Sequence, residues 1–96
     1  MIMQGDIERK LKALKPVLSS TFYVDRIGYF GSFARNEQTE DSDIDIIVSL
    51  NKPLGWAFFD LQYLLEKELN RKVDLVSIKA LKEQLKDSIL KETKFV

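Results

Sequence analysis

Two aspartates separated by one residue, Asp43 and Asp45, are the side chains whose type and spacing most directly suggest chemistry. They begin the segment DIDIIVSL, residues 43–50, whose β-branched residues predict a strand. Side chains two apart on a strand point to the same face, so the two carboxylates can bind one cation. The simpler alternative is the end of an acidic loop, because Glu40 and Asp41 come just before.

A third carboxylate, Asp74, stands between two apolar residues in a predicted strand over residues 72–78. If this strand lies beside the strand that carries Asp45, Asp74 can face the same cation. The alternative is an exposed strand residue, or one that pairs with Arg71 or Lys72. Asp74 alone leaves both interpretations open, whereas the three aspartates together favour a metal site.

The chemistry of such a site is restricted by composition. The chain has neither cysteine nor histidine, so any metal ligands must be oxygens, which favours magnesium, calcium or manganese. Asp41, Asp43 and Asp45 have the spacing of a calcium-binding loop, but that loop requires glycine at its sixth position and glutamate at its twelfth. Those positions hold Ile46 and Lys52, so a calcium loop is excluded.

A glycine and a serine, Gly31 and Ser32, follow an apolar run and precede a predicted helical turn. Glycine permits close backbone approach, and the N–H groups that follow suit a phosphate. The alternative is an ordinary turn with Ser32 as its cap, and no P-loop motif is present. Arg35, about one helical turn further on, could contact phosphate or pair with Glu37 or Asp41.

These residues must be positioned by a small α/β (α+β) domain. A short loop between the first two strands predicts an antiparallel pair, and a helix between the second and third predicts a parallel crossover. The result is a mixed three-stranded sheet with helices packed on it. The predicted elements are, in order, helix 6–19, strand 24–31, a short helical turn, strand 43–50, helix 55–69, strand 72–78 and helix 79–94.

Two of these helices carry more specific expectations. Asp6 is a plausible N-cap for the first helix, and Pro16 should bend or break it. In the last helix, Leu81, Leu85 and Ile89 recur at helical spacing and should face the core.

The stretch GSFARNEQTEDSDID, residues 31–45, followed by IIV, resembles the signature of MNT-type minimal nucleotidyltransferases. These proteins belong to the DNA polymerase β-like superfamily, and their pattern is roughly G-S-x-A-R-G, a polar spacer, S-D-I-D-L and a later strand aspartate. Asn36 stands where glycine is usual. Element order and length extend the resemblance over residues 1–96 as a single minimal domain. The matching positions are Gly31, Ser32, Ala34, Arg35, Ser42, Asp43, Ile44, Asp45 and Asp74.

The resemblance implies transfer of a nucleotide, most often AMP from ATP, to an acceptor hydroxyl with release of pyrophosphate. Asp43 and Asp45 would then hold two magnesium ions against the triphosphate. Asp74 would bind one of the metals and help to deprotonate the acceptor. Gly31 and Ser32 would hold the outer phosphates.

The resemblance also implies a partner, a HEPN-domain toxin that the minimal nucleotidyltransferase neutralises by binding it or by adding AMP to it. An extended acceptor-binding domain is not expected in 96 residues, so the acceptor would come from a partner chain or a second copy. Trp56, Phe59 and Tyr63 fall on one side of helix 55–69, nearly opposite the predicted core stripe of Leu61, Leu65 and Leu69. This aromatic surface could meet a toxin or a second copy, or it could pack beneath the first or last helix.

Composition narrows the alternatives. Fifteen basic and fifteen acidic residues cancel, which argues against binding of extended nucleic acid, and no apolar run approaches a membrane span. The first fifteen residues are too charged for a signal peptide, so we expect a cytoplasmic location.

Two other functions would use the same candidate site residues. One is a non-catalytic nucleotide- or toxin-binding module, and the other is a two-metal nuclease, which the Gly31–Ser32 turn disfavours.

Overall fold

Residues 2–96 are described by a computed structural model in which helices and strands alternate along the chain. The elements are α1 (Gln4–Phe22), β1 (Val24–Phe30), α2 (Gly31–Ala34), β2 (Ile44–Leu50), α3 (Ala57–Leu69), β3 (Val73–Ser77), a 3₁₀ turn (Ile78–Ala80), α4 (Glu83–Glu92) and β4 (Lys94–Phe95). Within this described range, no helix combines the length and apolarity that a bilayer span requires.

The strands form one mixed sheet in the order β3-β2-β1-β4. As predicted, β1 and β2 are antiparallel, and β2 and β3 are parallel with α3 as the crossover. The sheet has four strands rather than the expected three, because Lys94–Phe95 pairs antiparallel with Gly28 and Tyr29 of β1. The predicted last helix therefore ends too late. At Thr93 the backbone becomes extended, because the residues that follow can pair with the free edge of β1. A further turn of helix would leave the backbone N–H and C=O groups of that edge unpaired.

The main core lies between one face of the sheet and helices α1 and α3. In β2, Ile44, Ile46 and Val48 point into this core, while Ile47 is buried on the opposite face. In α3, the predicted stripe is confirmed, since Leu61, Leu65 and Leu69 are buried. The buried core residues are Ile7, Leu11, Leu18, Phe22, Val24, Ile27, Tyr29, Phe33, Ile44, Ile46, Val48, Leu61, Leu65, Leu69, Val73 and Leu75.

Helix α1 differs from its prediction at the N-cap, and Pro16 does not break it. It begins two residues earlier than expected, with Met3 as its N-cap, and runs through Pro16 without a break. Asp6 is therefore not the cap, but its carboxylate accepts a hydrogen bond of 2.8 Å from the Met3 N–H. That contact uses the third helical position to satisfy the helix start, as in half of a capping box. Pro16 lies on the exposed side, so its missing N–H leaves no buried carbonyl without water.

Helix α4 does not contribute to the core as predicted. Leu85 is 51% exposed, and Leu81 and Ile89 are only partly buried. The reason is that α1 and α3 already cover the apolar face of the sheet. Helix α4 lies instead against α2 and β1, which places its last turn next to Gly31.

Candidate active site

Two of the predicted site residues, Asp45 and Asp74, are direct register partners on the parallel strands β2 and β3. Residues in register on neighbouring strands point to the same face of a sheet. Ile44 and Ile46, on either side of Asp45, are buried in the core, so Asp45 points away from it. The two carboxylates therefore lie side by side on the face of the sheet opposite α1 and α3.

The third aspartate, Asp43, is exposed and lies one residue before β2, not inside the strand. The loop that leads to it is held by Arg71, whose guanidinium donates 2.8 Å hydrogen bonds to the backbone carbonyls of Glu40 and Ser42. The Ser42 hydroxyl in turn accepts a 2.9 Å hydrogen bond from the N–H of Thr39. Arg71 thus fixes the approach to Asp43, and it does not form the pair with Asp74 that the sequence left open.

The electrostatics of Asp45 show that the acidic groups are close to one another. Partial burial, together with the negative charges of Asp74, Asp43 and Glu92, raises the pKa of Asp45 to about 6, while Arg35 opposes this rise. Like charges on neighbouring carboxylates favour whatever reduces their repulsion, either a proton or a bound cation. The raised pKa that a shared cation site predicts is therefore present at the most buried of the three aspartates.

The three carboxylates supply the hard oxygen donors that magnesium prefers. Among residues 2–96, however, no three acidic side chains converge closely enough to enclose an ion as they stand. Asp45 is partly buried, whereas Asp43 and Asp74 are exposed and have free space around them. As surface side chains, Asp43 and Asp74 can change rotamer when a cation binds beside Asp45. The donor set thus fits a divalent metal.

Gly31 opens α2 directly beside this acidic group. Its φ of +72° lies in the left-handed region that favours glycine, and an added Cβ would stand 2.0 Å from Oδ2 of Asp45. The Gly31 N–H donates a 2.8 Å hydrogen bond to Oε2 of Glu92. Both the backbone conformation and the contact with Asp45 therefore require glycine at this position.

The rest of the turn is closed by backbone hydrogen bonds. The carbonyl of Ser32 accepts from the Glu37 N–H at 2.8 Å, and the carbonyl of Gly31 accepts from the Arg35 N–H at 3.1 Å. Asn36 has a φ of 58°, a left-handed conformation that asparagine tolerates better than most residues. This conformation explains why glycine suits position 36, and why the departure to asparagine leaves the turn intact.

Arg35 is bound by two carboxylates. Its Nε donates to Glu37 at 2.8 Å and its Nη1 donates to Oε1 of Glu92 at 2.7 Å. The pairing with Glu37 is one of the alternatives that the sequence offered. Glu92 was missed, because it comes from α4, 57 positions further along the chain, and belongs to no local motif. Burial opposes its ionisation, but hydrogen bonds from Arg35 and Gly31 hold the pKa of Glu92 below its ordinary value.

A separate feature is the aromatic surface of Trp56, Phe59 and Tyr63. These side chains are 86%, 61% and 68% exposed, and the Trp56 and Phe59 rings lie 6.0 Å apart. Neither α1 nor α4 covers them, so the alternative that this surface packs beneath the first or last helix is wrong. Exposed aromatic clusters of this kind commonly mark a contact surface.

Comparison with known proteins decides the family. Residues 11–96 match the family described as the nucleotidyltransferase domain. This chain belongs to the nucleotidyltransferase family. The chain is also similar to the protein adenylyltransferase MntA of Thermococcus cleftensis, with 39% identity over 97 aligned positions that cover 100% of this chain and 98% of that protein. The resemblance seen in the sequence is thereby confirmed, and the domain is a nucleotidyltransferase.

Solved structures agree with the fold of this nucleotidyltransferase. A structure assigned as a minimal nucleotidyltransferase superimposes with a TM-score of 0.80 at 30% identity, over 98% of this chain and 95% of that one. A crystal structure of a toxin–antitoxin with AMP-PNP gives a TM-score of 0.73 at 28% identity, over 90% of this chain and 70% of that one. The mixed sheet with helices packed on it is thus the minimal nucleotidyltransferase fold.

Proposed function

We propose that this nucleotidyltransferase is a magnesium-dependent protein adenylyltransferase that moves AMP from ATP to a hydroxyl group of a HEPN-type toxin, and so acts as its antitoxin. The observation that carries the proposal is the pairing of Asp45 with Asp74 beside the Gly31 turn. A carboxylate group for cations and a backbone turn for phosphates are thereby in contact. The similarity to an adenylyltransferase and to a toxin–antitoxin with AMP-PNP supports the choice of nucleotide and partner.

In this proposal Asp43, Asp45 and Asp74 hold two magnesium ions, which when bound supply charge neutralisation for the triphosphate. Asp45 is held in place by its strand and by Gly31, so it sets the position of the site. Asp74 is exposed beside Asp45, so its carboxylate can reach the acceptor hydroxyl and accept its proton. The acceptor oxygen bonds to the α-phosphorus as the bond to the pyrophosphate oxygen breaks.

The turn at Gly31 and Ser32 would orient the outer phosphates. Ser32 is only partly buried, so its hydroxyl and the backbone of the turn can reach a ligand. Direct contact between Arg35 and a phosphate remains a prediction, since its guanidinium is already bound to Glu37 and Glu92. Its positive charge nevertheless lies close enough to oppose the rise in the pKa of Asp45.

The aromatic surface is the proposed docking site for the toxin. Trp56, Phe59 and Tyr63 present large rings at low conformational cost, which is typical of anchors that fill a pocket of a partner. A second copy of this chain is the alternative occupant, and the oligomeric state of the free protein distinguishes the two.

The decisive experiment is incubation of the protein with ATP labelled at the α-phosphate, magnesium and the protein encoded by its neighbouring gene. We expect label on a hydroxyl residue of that partner, identified by mass spectrometry as added AMP. The double variant Asp43→Asn/Asp45→Asn should lose the transfer by more than about 100-fold while it keeps the fold. Neutralisation of the partner without label would instead support a binding module that acts by contact alone.

A further inference from the structure

The carboxylate of Glu92 reaches the Gly31–Arg35 turn from α4 and binds it by two hydrogen bonds. It accepts a hydrogen bond from the Gly31 N–H at 2.8 Å with one oxygen and from the Arg35 guanidinium at 2.7 Å with the other. The acceptor is a carboxylate in both bonds, and the Arg35 donor is itself charged, so these are the stronger, charge-assisted type of hydrogen bond. One side chain thus joins the first residue of the turn to the residue that ends it.

The backbone around Glu92 is built to hold that side chain in place. Glu92 is the last residue of α4, and the next residue, Thr93, still donates its N–H to the carbonyl of Ile89 at 3.0 Å. Strand β4 follows at once and pairs with Gly28 and Tyr29, just before Gly31. The two backbones approach so closely that a Cβ on Gly28 would lie 2.7 Å from the carbonyl oxygen of Lys94.

We propose that Glu92 is a positioning residue for nucleotide transfer, an inference that rests on the proposed function. Its carboxylate holds the Gly31 N–H on one side of the turn, which keeps the Gly31 α-carbon against Asp45 on the other. It also fixes Arg35 at the end of the turn. The distance between the proposed phosphate-binding backbone and the Asp45 carboxylate therefore stays constant. In this role Glu92 acts through its hydrogen bonds to Gly31 and Arg35 and not as a ligand of the metal ions.

A competing role is that the Glu92 carboxylate occupies the place of a phosphate and must leave before ATP binds. A displaceable side chain of that kind needs a mobile support. Glu92 instead lies between a helix end and a paired strand, and both of its oxygens are bound. The anchored geometry favours positioning, and the two roles predict opposite changes in nucleotide affinity.

The test is the dissociation constant of AMP-PNP with magnesium, measured by calorimetry for wild type and three variants. Glu92→Ala removes both hydrogen bonds and should weaken binding about tenfold, as expected for loss of a charge-assisted contact. Glu92→Gln keeps one acceptor oxygen at the same reach and should recover part of that loss. Glu83→Gln makes the same chemical change at an exposed site on the same helix, and it should bind as wild type does.

Amide hydrogen exchange of the protein without nucleotide distinguishes local positioning of the turn from a general stabilisation of the fold. In Glu92→Ala, the Gly31 amide should exchange at least about tenfold faster, while amides of β2 keep their rates. Faster exchange throughout the sheet would overturn the positioning role, and so would unchanged or tighter binding of AMP-PNP. If wild type itself does not bind AMP-PNP, the proposed function fails and this inference fails with it.

Discussion

Gly31 and Asp45 are in direct contact across the site, and a single added methyl group at Gly31 would stand 2.0 Å from the Asp45 carboxylate oxygen. The residue that begins the proposed phosphate-binding turn is therefore packed against the most buried of the predicted metal ligands. Since the two positions cannot move independently, a change at either one should alter both nucleotide binding and the acidic site.

The Gly31→Ala variant should lose about 2–3 kcal/mol of stability and its nucleotide transfer, because it adds a clash to a strained left-handed backbone. Gly55→Ala is the matched control, since Gly55 has a φ of +56° and nothing within 4 Å of an added Cβ. That variant should lose only about 1 kcal/mol, the cost of backbone strain alone. Denaturant unfolding measures both losses, and equal values would show that the contact with Asp45 is not restrictive.

The Asp45→Asn variant should be more stable than wild type at pH 8 by about 1 kcal/mol, after allowance for solvent screening of a partly exposed group. The folded-state pKa of Asp45, about 6, lies above its unfolded value of 3.8, so ionisation between these values costs the folded state. The difference between variant and wild type should therefore disappear below about pH 4, where both states are protonated. Denaturant unfolding across pH 3.5–8 measures this difference in the free energy of unfolding, with Asp60→Asn on α3 as an exposed control. A constant difference at every pH would contradict this assignment.

The Phe59→Asp variant should abolish binding to the partner and leave the melting temperature close to that of wild type. The substitution is on the exposed side of α3, where a carboxylate remains in water. Leu65→Asp, six residues away on the same helix, should unfold the protein, because it buries a charge at a cost above about 4 kcal/mol. Circular dichroism and a pull-down of the co-expressed partner separate the two effects. Similar damage from both substitutions would contradict the assignment of the two faces.

The Arg71→Ala variant should reduce nucleotide transfer by about tenfold, because it frees the loop that carries Asp43. Its guanidinium holds the carbonyls of Glu40 and Ser42, and the loop is exposed enough for water to replace those bonds. The fold should therefore change little. Lys72→Ala, at the neighbouring exposed position, is the control and should retain transfer. A transfer rate in Arg71→Ala equal to that of wild type would show that the hydrogen bonds from Arg71 are not needed to position Asp43.

Local spacing in the sequence predicted the acidic residues and the sheet connections. The apolar flanks of Asp45 and Asp74 reflect strand geometry, which is a local property. Asp43 lies one residue before β2, so the i, i+2 strand spacing predicted for Asp43 and Asp45 is not what places it. The helix faces of α3 were predicted for the same reason, since the 3.6-residue period separates Leu65 from Phe59.

Contacts between distant parts of the chain could not be predicted in this way. The position of α4 depends on which sheet face α1 and α3 already occupy, so Leu85 has the spacing of a core residue and yet remains exposed. Strand β4 is two residues long and exists only because β1 offers a free edge. The contact of Glu92 with Gly31 follows from both of these placements, and no local pattern indicates it.

The most direct test of the account is a crystal structure of the protein with AMP-PNP and manganese, which takes the place of magnesium and gives an anomalous signal. We predict an anomalous peak about 2.1–2.2 Å from carboxylate oxygens of Asp43 and Asp45, with Asp74 turned toward it and the triphosphate along the Gly31–Ser32 turn. AMP-PNP bound elsewhere, or bound with no metal between it and these aspartates, would contradict the assignment of this acidic face as the active site.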